Sequence, residues 1–392
     1  MRLPKNLEFI ISRLNASGHR ADIVGGCVRD FMLGKIPNDY DVTTDATPDE
    51  LREIFSDLRT VDTGIKHGTL TVIIDSEPYE VTTYRKDGTY SDNRHPDSVS
   101  FTRDLHEDLS RRDFTVNAMC YNSKDGVTDI FSGREDLSAG IIRAVGDPEK
   151  RFREDALRIL RALRFAATLD FVIEPNTARA IFNTAHLLAH VSAERVFSEW
   201  KKLISGVGAH RILSDYIGVI AEVIPEISST RLCDSDRFAV SDALTRELSL
   251  FFNAGGTPTE KYNGAMLRLK SDNLHRQRGL TVLENIDFET DTERALRHLL
   301  IKAGEVGARG VVSLKYLLGR ADAGEMDMLG TILSGGFCYR LADMKISGND
   351  IAALGFSGRE IGRELQRLLY MIADGEVENE REALISKVTE KS

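Results

Sequence analysis

Residues 22–45 combine a glycine-rich turn with a pair of closely spaced carboxylates. A short apolar run ends at Gly25 and Gly26, and the helix that follows is predicted to begin near residue 27 or 28. Glycine lets backbone amides approach a ligand closely, and the N-terminus of a helix favours anions. The turn therefore predicts a cradle for phosphate.

Asp39 and Asp41 come next and lead into a strand-like run of β-branched residues. Side chains two positions apart on a strand point to the same face, so these carboxylates are expected to project together. They repel each other unless a cation lies between them, and Mg²⁺ shared with substrate phosphates is the usual solution. The phosphate cradle and the paired carboxylates together predict nucleotidyl transfer. Each feature alone has an ordinary explanation, a glycine turn for the first and a solvated acidic strand for the second. The two features at this spacing are much less well explained in that way.

Two further segments carry candidate ligands. Glu80, on a second predicted strand, supplies a third carboxylate that could complete the metal cluster, although alone it is typical of an exposed strand residue. Arg111 and Arg112 match phosphate oxygens bidentately, and the adjacent Asp113 can accept a hydrogen bond from a ribose hydroxyl. A surface Arg–Asp pair is the alternative interpretation of that second segment.

The segment 153–165 alternates apolar and charged residues at helical spacing. A solvated face laced by i,i+3 and i,i+4 ion pairs is the common explanation of such a pattern. A functional alternative is that an Asp acceptor beside an Arg donor matches the Watson–Crick edges of both cytosine and adenine, whereas uracil and guanine reverse that order. The charged positions are Glu154, Asp155, Arg158 and Arg161, opposite an arc of Leu157, Ile159, Leu160 and Leu163.

The pattern of predicted secondary structure changes at about residue 147. Both strands and helices are predicted before this point, and only helices after it. A helix with Leu7, Ile10, Ile11 and Leu14 on one face is predicted to end at Gly18. The polar, non-periodic run 86–100 is predicted to be a mobile loop. The predicted strands are 22–24, 40–44, 70–74, 79–84, 118–121 and 141–144. The predicted helices include 48–55, with a Thr47–Glu50 capping box, and then 151–169, 177–188 and 193–204.

Composition limits the classes of protein. A chain of 392 residues is expected to hold more than one domain. No window approaches the ~18 apolar residues of a membrane span, and the N-terminal residues lack the apolar run of a signal peptide. The four cysteines are scattered without Cys-x-x-Cys spacing, which argues against structural zinc and disulfides and predicts a cytoplasmic protein.

The net charge of -10 argues against a protein that binds nucleic acid through its overall field. Any RNA partner would therefore need a local basic surface. One cluster fits this description: Arg143, Lys150, Arg151, Arg153, Arg158, Arg161 and Arg164.

Four motifs follow one another along the chain: Gly25-Gly26-Cys27-Val28-Arg29-Asp30, Asp39-Tyr40-Asp41, Arg112-Asp113-Phe114-Thr115 with Asn117-Ala118, and Glu154-Asp155-x-x-Arg158. In this order and spacing they resemble the bacterial (class II) tRNA nucleotidyltransferases, the CCA-adding enzymes, and their poly(A) polymerase relatives. The resemblance is close over 20–205, weaker through 221–227, and returns at 346–355 and 358–362. The segment 229–330 departs most from the family pattern.

The resemblance implies an α+β fold, with a polymerase-β-like nucleotidyltransferase head (a mixed sheet with helices) followed by an all-α neck, body and tail. The implied domains are a head over 1–146, a neck with base recognition over 147–215, a body over 216–330 and a tRNA-binding tail over 331–392. Many long homologues also carry an HD phosphohydrolase module. No histidine here is followed by aspartate, so no such activity is expected.

The resemblance also implies roles for individual residues. Two Mg²⁺ ions would lie on Asp39 and Asp41, with Glu80 as a further acidic residue, and would align a primer 3′-hydroxyl for attack on the α-phosphate. The implied nucleotide contacts are Gly25, Gly26 and Arg29 with triphosphate, Arg112 and Asp113 with triphosphate and ribose, Asp155 and Arg158 with the base, Glu154 with that arginine, and Arg161 and Arg164 with triphosphate.

The implied activity is addition of CCA to tRNA 3′ ends from CTP and ATP, with release of pyrophosphate. Residues 67–70 and the short tail favour CCA addition over poly(A) synthesis, and the loop 86–100 is a segment that relatives adding only CC tend to lack. Enzymes that add only A keep this loop and remain an alternative, as does poly(A) synthesis. A non-catalytic RNA-binding relative is disfavoured, because it would have no reason to keep both aspartates.

Overall fold

The computed structural model describes residues 3–37, 39–88 and 99–390. The chain divides into two compact units, Met1–Val223 and Ile224–Ser392. The first unit contains a mixed sheet with helices, and the second is helical, so the predicted α+β fold class is confirmed. The finer division into head, neck, body and tail stays a prediction.

A seven-stranded mixed sheet organises the described part of the first unit. Its strand order is β3-β4-β5-β2-β1-β8-β9. Only β2 and β5 run parallel, while the other neighbouring pairs are antiparallel. Four further strands of this unit, β6, β7, β10 and β11, lie outside this sheet. All the strands are β1 Ala21–Val24, β2 Asp41–Thr44, β3 Arg59–Val61, β4 Thr69–Ile74, β5 Glu77–Thr83, β6 Arg85–Asp87, β7 Val99–Phe101, β8 Met119–Asn122, β9 Gly126–Asp129, β10 Ile141–Ile142 and β11 Val172–Ile173.

The interior strand β1 is buried along its whole length. A carboxylate inside such a strand is costly unless it is paired. Asp22 meets this requirement, because Arg20 Nε, Tyr84 Oη and Asn122 Nδ2 donate to it at 2.8, 3.0 and 2.6 Å. These bonds link the start of β1 to the residue that follows β5 and to the last residue of β8.

Local signals predicted several of the helices of the first unit. The four apolar residues predicted to share one face of α1 are buried, and Thr47 and Glu50 form the expected capping box of α3. Asp147 caps α6, which has a proline in its first turn. The helices are α1 Lys5–Ala16, α2 Gly26–Met32, α3 Pro48–Ile54, α4 Leu105–Ser110, α5 Gly133–Ala139, α6 Pro148–Glu154, α7 Leu157–Leu169, α8 Pro175–Thr184, α9 Ala193–Ile204 and α10 Ala209–Ile220.

The continuous helix predicted over 151–169 is wrong. Helix α6 ends at Glu154, and Asp155 adopts an extended backbone (φ -142°, ψ 105°) before α7 begins. The side chain of Asp155 accepts the backbone N–H of Leu157 at 3.1 Å. Aspartate that bonds its own backbone two residues further on competes with the helix, and this local turn replaces the helical bond.

Two smaller features complete the first unit. Strands β6 and β7 pair as an antiparallel ribbon at the base of the predicted loop 86–100, of which residues 89–98 lie outside the described residues. Strand β11 pairs in parallel with β10, although no strand was predicted after residue 147. Two residues are too few to show strand periodicity in the sequence.

The described part of the second unit is helical and has its own core. Within α15, Gly304 interrupts the helix at φ 68° and ψ 176°, a conformation that is essentially restricted to glycine. The helices are α11 Ser235–Val240, α12 Ala243–Asn253, α13 Pro258–Arg268, α14 Asn273–Glu284, α15 Glu293–Leu317, α16 Ala323–Ser334, α17 Gly348–Ala353, α18 Arg359–Ala373 and α19 Arg381–Thr389. Among the described helices, none combines the length and the apolar character needed to cross a membrane.

Candidate functional site

Four carboxylates line one cleft of about 700 Å³ in the first unit: those of Asp39, Asp41 and Glu80, which were predicted, and that of Glu77. The parallel register of β2 and β5 places Asp41 directly beside Glu80. Asp39 lines the same cleft, although it precedes β2 instead of belonging to it. The strand pleat therefore does not bring the two aspartates together as predicted; the chain entering β2 does. The cleft nevertheless holds all three predicted acidic residues.

Asp41 lies in a conflicting electrostatic environment. Loss of surrounding water raises the pKa of its carboxyl, as do the negative charges of Asp39 and Glu80, while Arg112 lowers it. The protein's own cations therefore compensate only part of the negative charge of ionised Asp41. Such a group is expected to gain from a positive ligand in the cleft.

The donor set in this cleft fits a cation that takes few of its ligands from the protein. Among the described residues, no group of three or more His, Cys, Asp or Glu side chains is arranged to hold a metal ion. Mg²⁺ commonly binds through one or two carboxylates and completes its shell with water and substrate phosphates. Asp39 and Asp41 can provide those two carboxylates, because both face the cleft.

The turn between β1 and α2 brings a guanidinium against the backbone. Gly25 has φ +83°, and a Cβ atom there would lie 3.2 Å from Nη1 of Arg112. Nε of Arg112 is buried and has no hydrogen-bond partner among the described residues, while its Nη2 donates to Asp108 at 3.4 Å. A buried donor without a partner is costly, which fits a group that awaits an anion such as phosphate.

Asp113 is the hydrogen-bonding centre beside this turn. Its carboxylate accepts from Nε of Arg161 at 2.8 Å, from Nδ2 of Asn117 at 3.1 Å and from the backbone N–H of Phe114 at 2.8 Å. Burial alone would raise its pKa, but Arg161, the hydrogen bond from Asn117 and the charge of Arg158 lower the pKa of Asp113 to about 2. Asp113 is thus a fixed, ionised acceptor.

The ionisation of Asp113 predicts a pH dependence of stability. A lowered pKa in the folded state stabilises the fold above the unfolded value of 3.8, and this contribution is lost as the pH falls towards about 2. It amounts to about 2 kcal/mol. The single tryptophan, Trp200, is buried in α9 and reports unfolding of this unit. Urea titrations followed by its fluorescence should lose about 2 kcal/mol more between pH 4 and 2 in the wild type than in Asp113→Asn. Equal acid losses would contradict the assignment.

The predicted base-reading residues lie at the break between α6 and α7. Arg158 is largely buried, and its Nη1 and Nη2 donate to Glu154 at 2.9 Å and to the carbonyl of Arg111 at 2.9 Å. Asp155 accepts from Nη2 of Arg195 at 2.8 Å. The carboxylate of Asp155 is thus paired with Arg195, while Glu154 orients the guanidinium of Arg158 three residues further on.

The remaining predicted arginines gather around one aromatic ring. The guanidinium carbons of Arg29, Arg161 and Arg164 lie 4.9, 5.3 and 3.5 Å from the ring centroid of Phe165. Arg29 also donates to Asn117 at 2.7 Å, so it approaches the Asp113 centre. The structure thus brings together three side chains that are up to 135 residues apart in sequence.

The basic cluster expected to serve RNA is largely neutralised within the protein. Each of its arginines has a carboxylate partner, so these residues do not form a free positive stripe. The pairs are Arg143–Asp136, Arg151–Glu154, Arg153–Glu149, Arg158–Glu154, Arg161–Asp113 and Arg164–Glu199.

Sequence analysis missed four residues that support the site: Asp108, Phe165, Arg195 and Glu199. Asp108 is fully buried on α4 and accepts from both Arg111 and Arg112. Arg195 and Glu199 lie four apart on α9, so they share one face of that helix. Charged positions on an otherwise apolar helix face were a usable signal, but their partners on α7 and at Asp155 are long-range contacts.

Comparison with family models gives two matches. Residues 21–143 match the family described as the Poly A polymerase head domain. Residues 170–230 match the family described as the probable RNA and SrmB- binding site of polymerase A. The first match contains the three carboxylates, the glycine turn and Arg112.

Comparison with individual proteins extends the similarity to nearly the whole chain. The CCA-adding enzyme of Enterococcus faecalis is 34% identical over 391 residues, which cover 97% of this chain and 95% of that protein. The CCA-adding enzyme of Pediococcus pentosaceus is 36% identical over 405 residues, with 98% of each chain covered. The Bacillus stearothermophilus CCA-adding enzyme in complex with CTP superposes with a TM-score of 0.82 at 31% identity, covering 100% of this chain and 98% of that one.

Proposed function

The chain belongs to the family of CCA-adding enzymes, and we propose that the cleft lined by Asp39, Asp41 and Glu80 is where it elongates RNA. As a member of this family it is a tRNA nucleotidyltransferase. It adds cytidine, cytidine and adenosine to the 3′ end of tRNA without a nucleic-acid template, and CTP and ATP are its nucleotide substrates.

One observation carries the assignment of the cleft. The register of β2 against β5 places Asp41 and Glu80 side by side, and Asp39 faces the same space. Arg112 brings its Nη1 against the turn at Gly25, and its Nε has no hydrogen-bond partner among the described residues. Negative and positive groups arranged in this way suit a polyphosphate that shares a metal ion with the protein.

Enzymes of this class use divalent metal ions, and Mg²⁺ is the ion proposed here, held by Asp39 and Asp41. When bound, such ions activate a hydroxyl nucleophile and stabilise the charge of the departing pyrophosphate. Glu80 supports the two aspartates from the neighbouring strand. The chain's own contribution is to hold these carboxylates on the paired strands β2 and β5 and on the residues that enter β2.

The arginines and Asp113 bind the rest of the nucleotide in this proposal. Arg112 and the backbone of Gly25 and Gly26 hold the triphosphate, and Arg29, Arg161 and Arg164 add positive charge. Asp113 accepts a hydrogen bond from a ribose hydroxyl, because its lowered pKa keeps it an acceptor at physiological pH.

Asp155 and Arg158 select the base. Cytosine and adenine each present an exocyclic amine beside a ring-nitrogen acceptor, which complements a carboxylate beside a guanidinium. Glu154 keeps Arg158 in place through their 2.9 Å bond. The protein side chains thus take the place of a template strand.

The remaining assignments concern location. We assign base recognition to the neck, residues 147–215, and tRNA binding to the tail, residues 331–392. All four cysteines are free, and three of them are buried, which suits a reducing compartment. The proposed compartment is therefore the cytoplasm.

A substrate series tests the whole proposal. Purified protein is incubated with Mg²⁺ and tRNAs that end at the discriminator base, at C and at CC, with CTP and ATP supplied separately and together. We expect CTP to extend the first two tRNAs, ATP to extend the CC form, and the mixture to complete all three. Addition of A alone, or a long A tail, would identify an A-adding enzyme or a poly(A) polymerase instead. Binding of tRNA without any incorporation would contradict catalysis.

A further inference from the structure

Phe165 of α7 lies at the centre of the arginines assigned to the triphosphate. Three guanidinium carbons lie within 5.3 Å of its ring centroid, the nearest being that of Arg164 at 3.5 Å. The ring is only 4% exposed. Its orientation is set by an edge-to-face contact with Phe114, with 5.8 Å between centroids and 78° between planes.

Three cations in so small a space repel one another unless they are compensated. Each has a carboxylate partner: Arg29 binds Asp30, Arg161 binds Asp113, and Arg164 binds Glu199. Burial lowers the pKa of Arg164, with Glu199 acting against that shift, whereas Asp113 raises the pKa of Arg161. The carboxylates therefore balance charge, but they lie on three different elements and do not hold the guanidiniums side by side.

The ring is the feature that all three arginines share. The negative π face of phenylalanine attracts a cation within about 6 Å, and it does so most strongly where water is excluded. A guanidinium carries five N–H donors, so an arginine stacked on a ring still has donors for other partners. Among the described residues, the hydrogen bond of Arg164 to a side chain uses only its Nε.

We propose that Phe165 is a positioning residue for the triphosphate site, whose ring holds Arg29, Arg161 and Arg164 together so that they act on one polyphosphate. This inference rests on the proposed function, because it assumes that these arginines bind the nucleotide's phosphates. It assigns to the aromatic ring a role that apolar volume alone cannot perform.

The test compares a variant that loses the ring with one that keeps it. Phe165→Leu preserves apolar volume and removes the π face, and Phe165→Tyr restores that face. We expect Phe165→Leu to raise KM for CTP and for ATP by about fivefold to thirtyfold with a smaller change in kcat. Phe165→Tyr should remain within about threefold of the wild type. The matched control is Phe55→Leu, another buried ring that contacts an arginine, Arg13, outside the site.

Equilibrium binding of CTP and of CMP separates positioning from general damage to the fold. Loss of arginine positioning lowers the preference for CTP over CMP, whereas loss of packing weakens both ligands equally. Equal weakening, unchanged CTP binding by Phe165→Leu, or a Phe165→Tyr protein that folds but binds CTP no better than Phe165→Leu would each overturn the proposal. A wild-type protein that does not prefer CTP to CMP would overturn the proposed triphosphate site itself, and this inference with it.

Discussion

Replacing Asp41 with alanine is expected to reduce nucleotide incorporation by about a thousandfold or more. Asp41 lies beside Glu80 in the cleft, and its pKa is raised, so the protein supplies too little positive charge for its ionised form. Because the fold does not stabilise ionised Asp41, we expect this carboxylate to bind a positively charged ligand. Single-turnover extension of end-labelled tRNA with CTP and Mg²⁺ measures the loss.

The fold should survive this change, because removing a repelled charge from the cleft costs little stability. We expect the midpoint of thermal unfolding to stay within a few degrees of the wild-type value. Asp39→Ala should behave in the same way. Asp57→Ala removes a surface carboxylate paired with Arg13 and should keep full activity. Activity of the wild-type level in either Asp39→Ala or Asp41→Ala would refute the metal assignment.

Local patterns predicted the elements that line the carboxylate cleft. Glu80 was predicted to lie on a second strand, and it lies on β5. Thr47 and Glu50 marked the start of α3, and helix 193–204 was predicted with its observed ends. These features depend on residues only a few positions apart, so a single sequence contains them.

Features that depend on tertiary partners were not predictable in the same way. The helical period continues through Asp155, yet a side-chain bond to Leu157 breaks the helix there. Arg158 was placed on a charged arc that could have been solvated, and it is buried because Glu154 and a carbonyl of another segment satisfy its donors. Sequence periodicity indicates which face of a helix is polar, but it does not indicate whether that face is exposed to water or contacts another segment of the protein.

The site residues of this chain also reach each other over long sequence distances. The motif that contains Arg29 is 132 residues from Arg161, and both lie on the ring of Phe165. No spacing rule predicts such a contact, whereas the recognisable order of the motifs does predict that they share a function. The resemblance therefore supplied the candidate residues, and the structure supplied the contacts among them.

The double change Asp155→Ala with Arg158→Ala is expected to abolish most discrimination between bases. A good bidentate contact is worth about 1–3 kcal/mol of discrimination against the wrong base, so the preference for CTP over UTP should fall by about tenfold to a hundredfold. Incorporation of UTP should increase most, because the carbonyl of uracil no longer faces a carboxylate. Competition between CTP and UTP on tRNA that ends at the discriminator base measures the ratio directly, and ATP against GTP on the CC form tests the second base.

A matched double variant controls for the loss of an ion pair as such. Arg52→Ala with Asp62→Ala removes an exposed Arg–Asp pair of the same unit, and exposed pairs contribute little to stability. It should leave both selectivity ratios unchanged. Because Arg151 also binds Glu154, the loss of Arg158 does not leave that carboxylate unpaired, and a folded double variant is expected. If the folded Asp155→Ala, Arg158→Ala enzyme still preferred CTP to UTP as strongly as the wild type, base choice would have to reside in other residues, and the idea of a protein template at this helix break would be wrong.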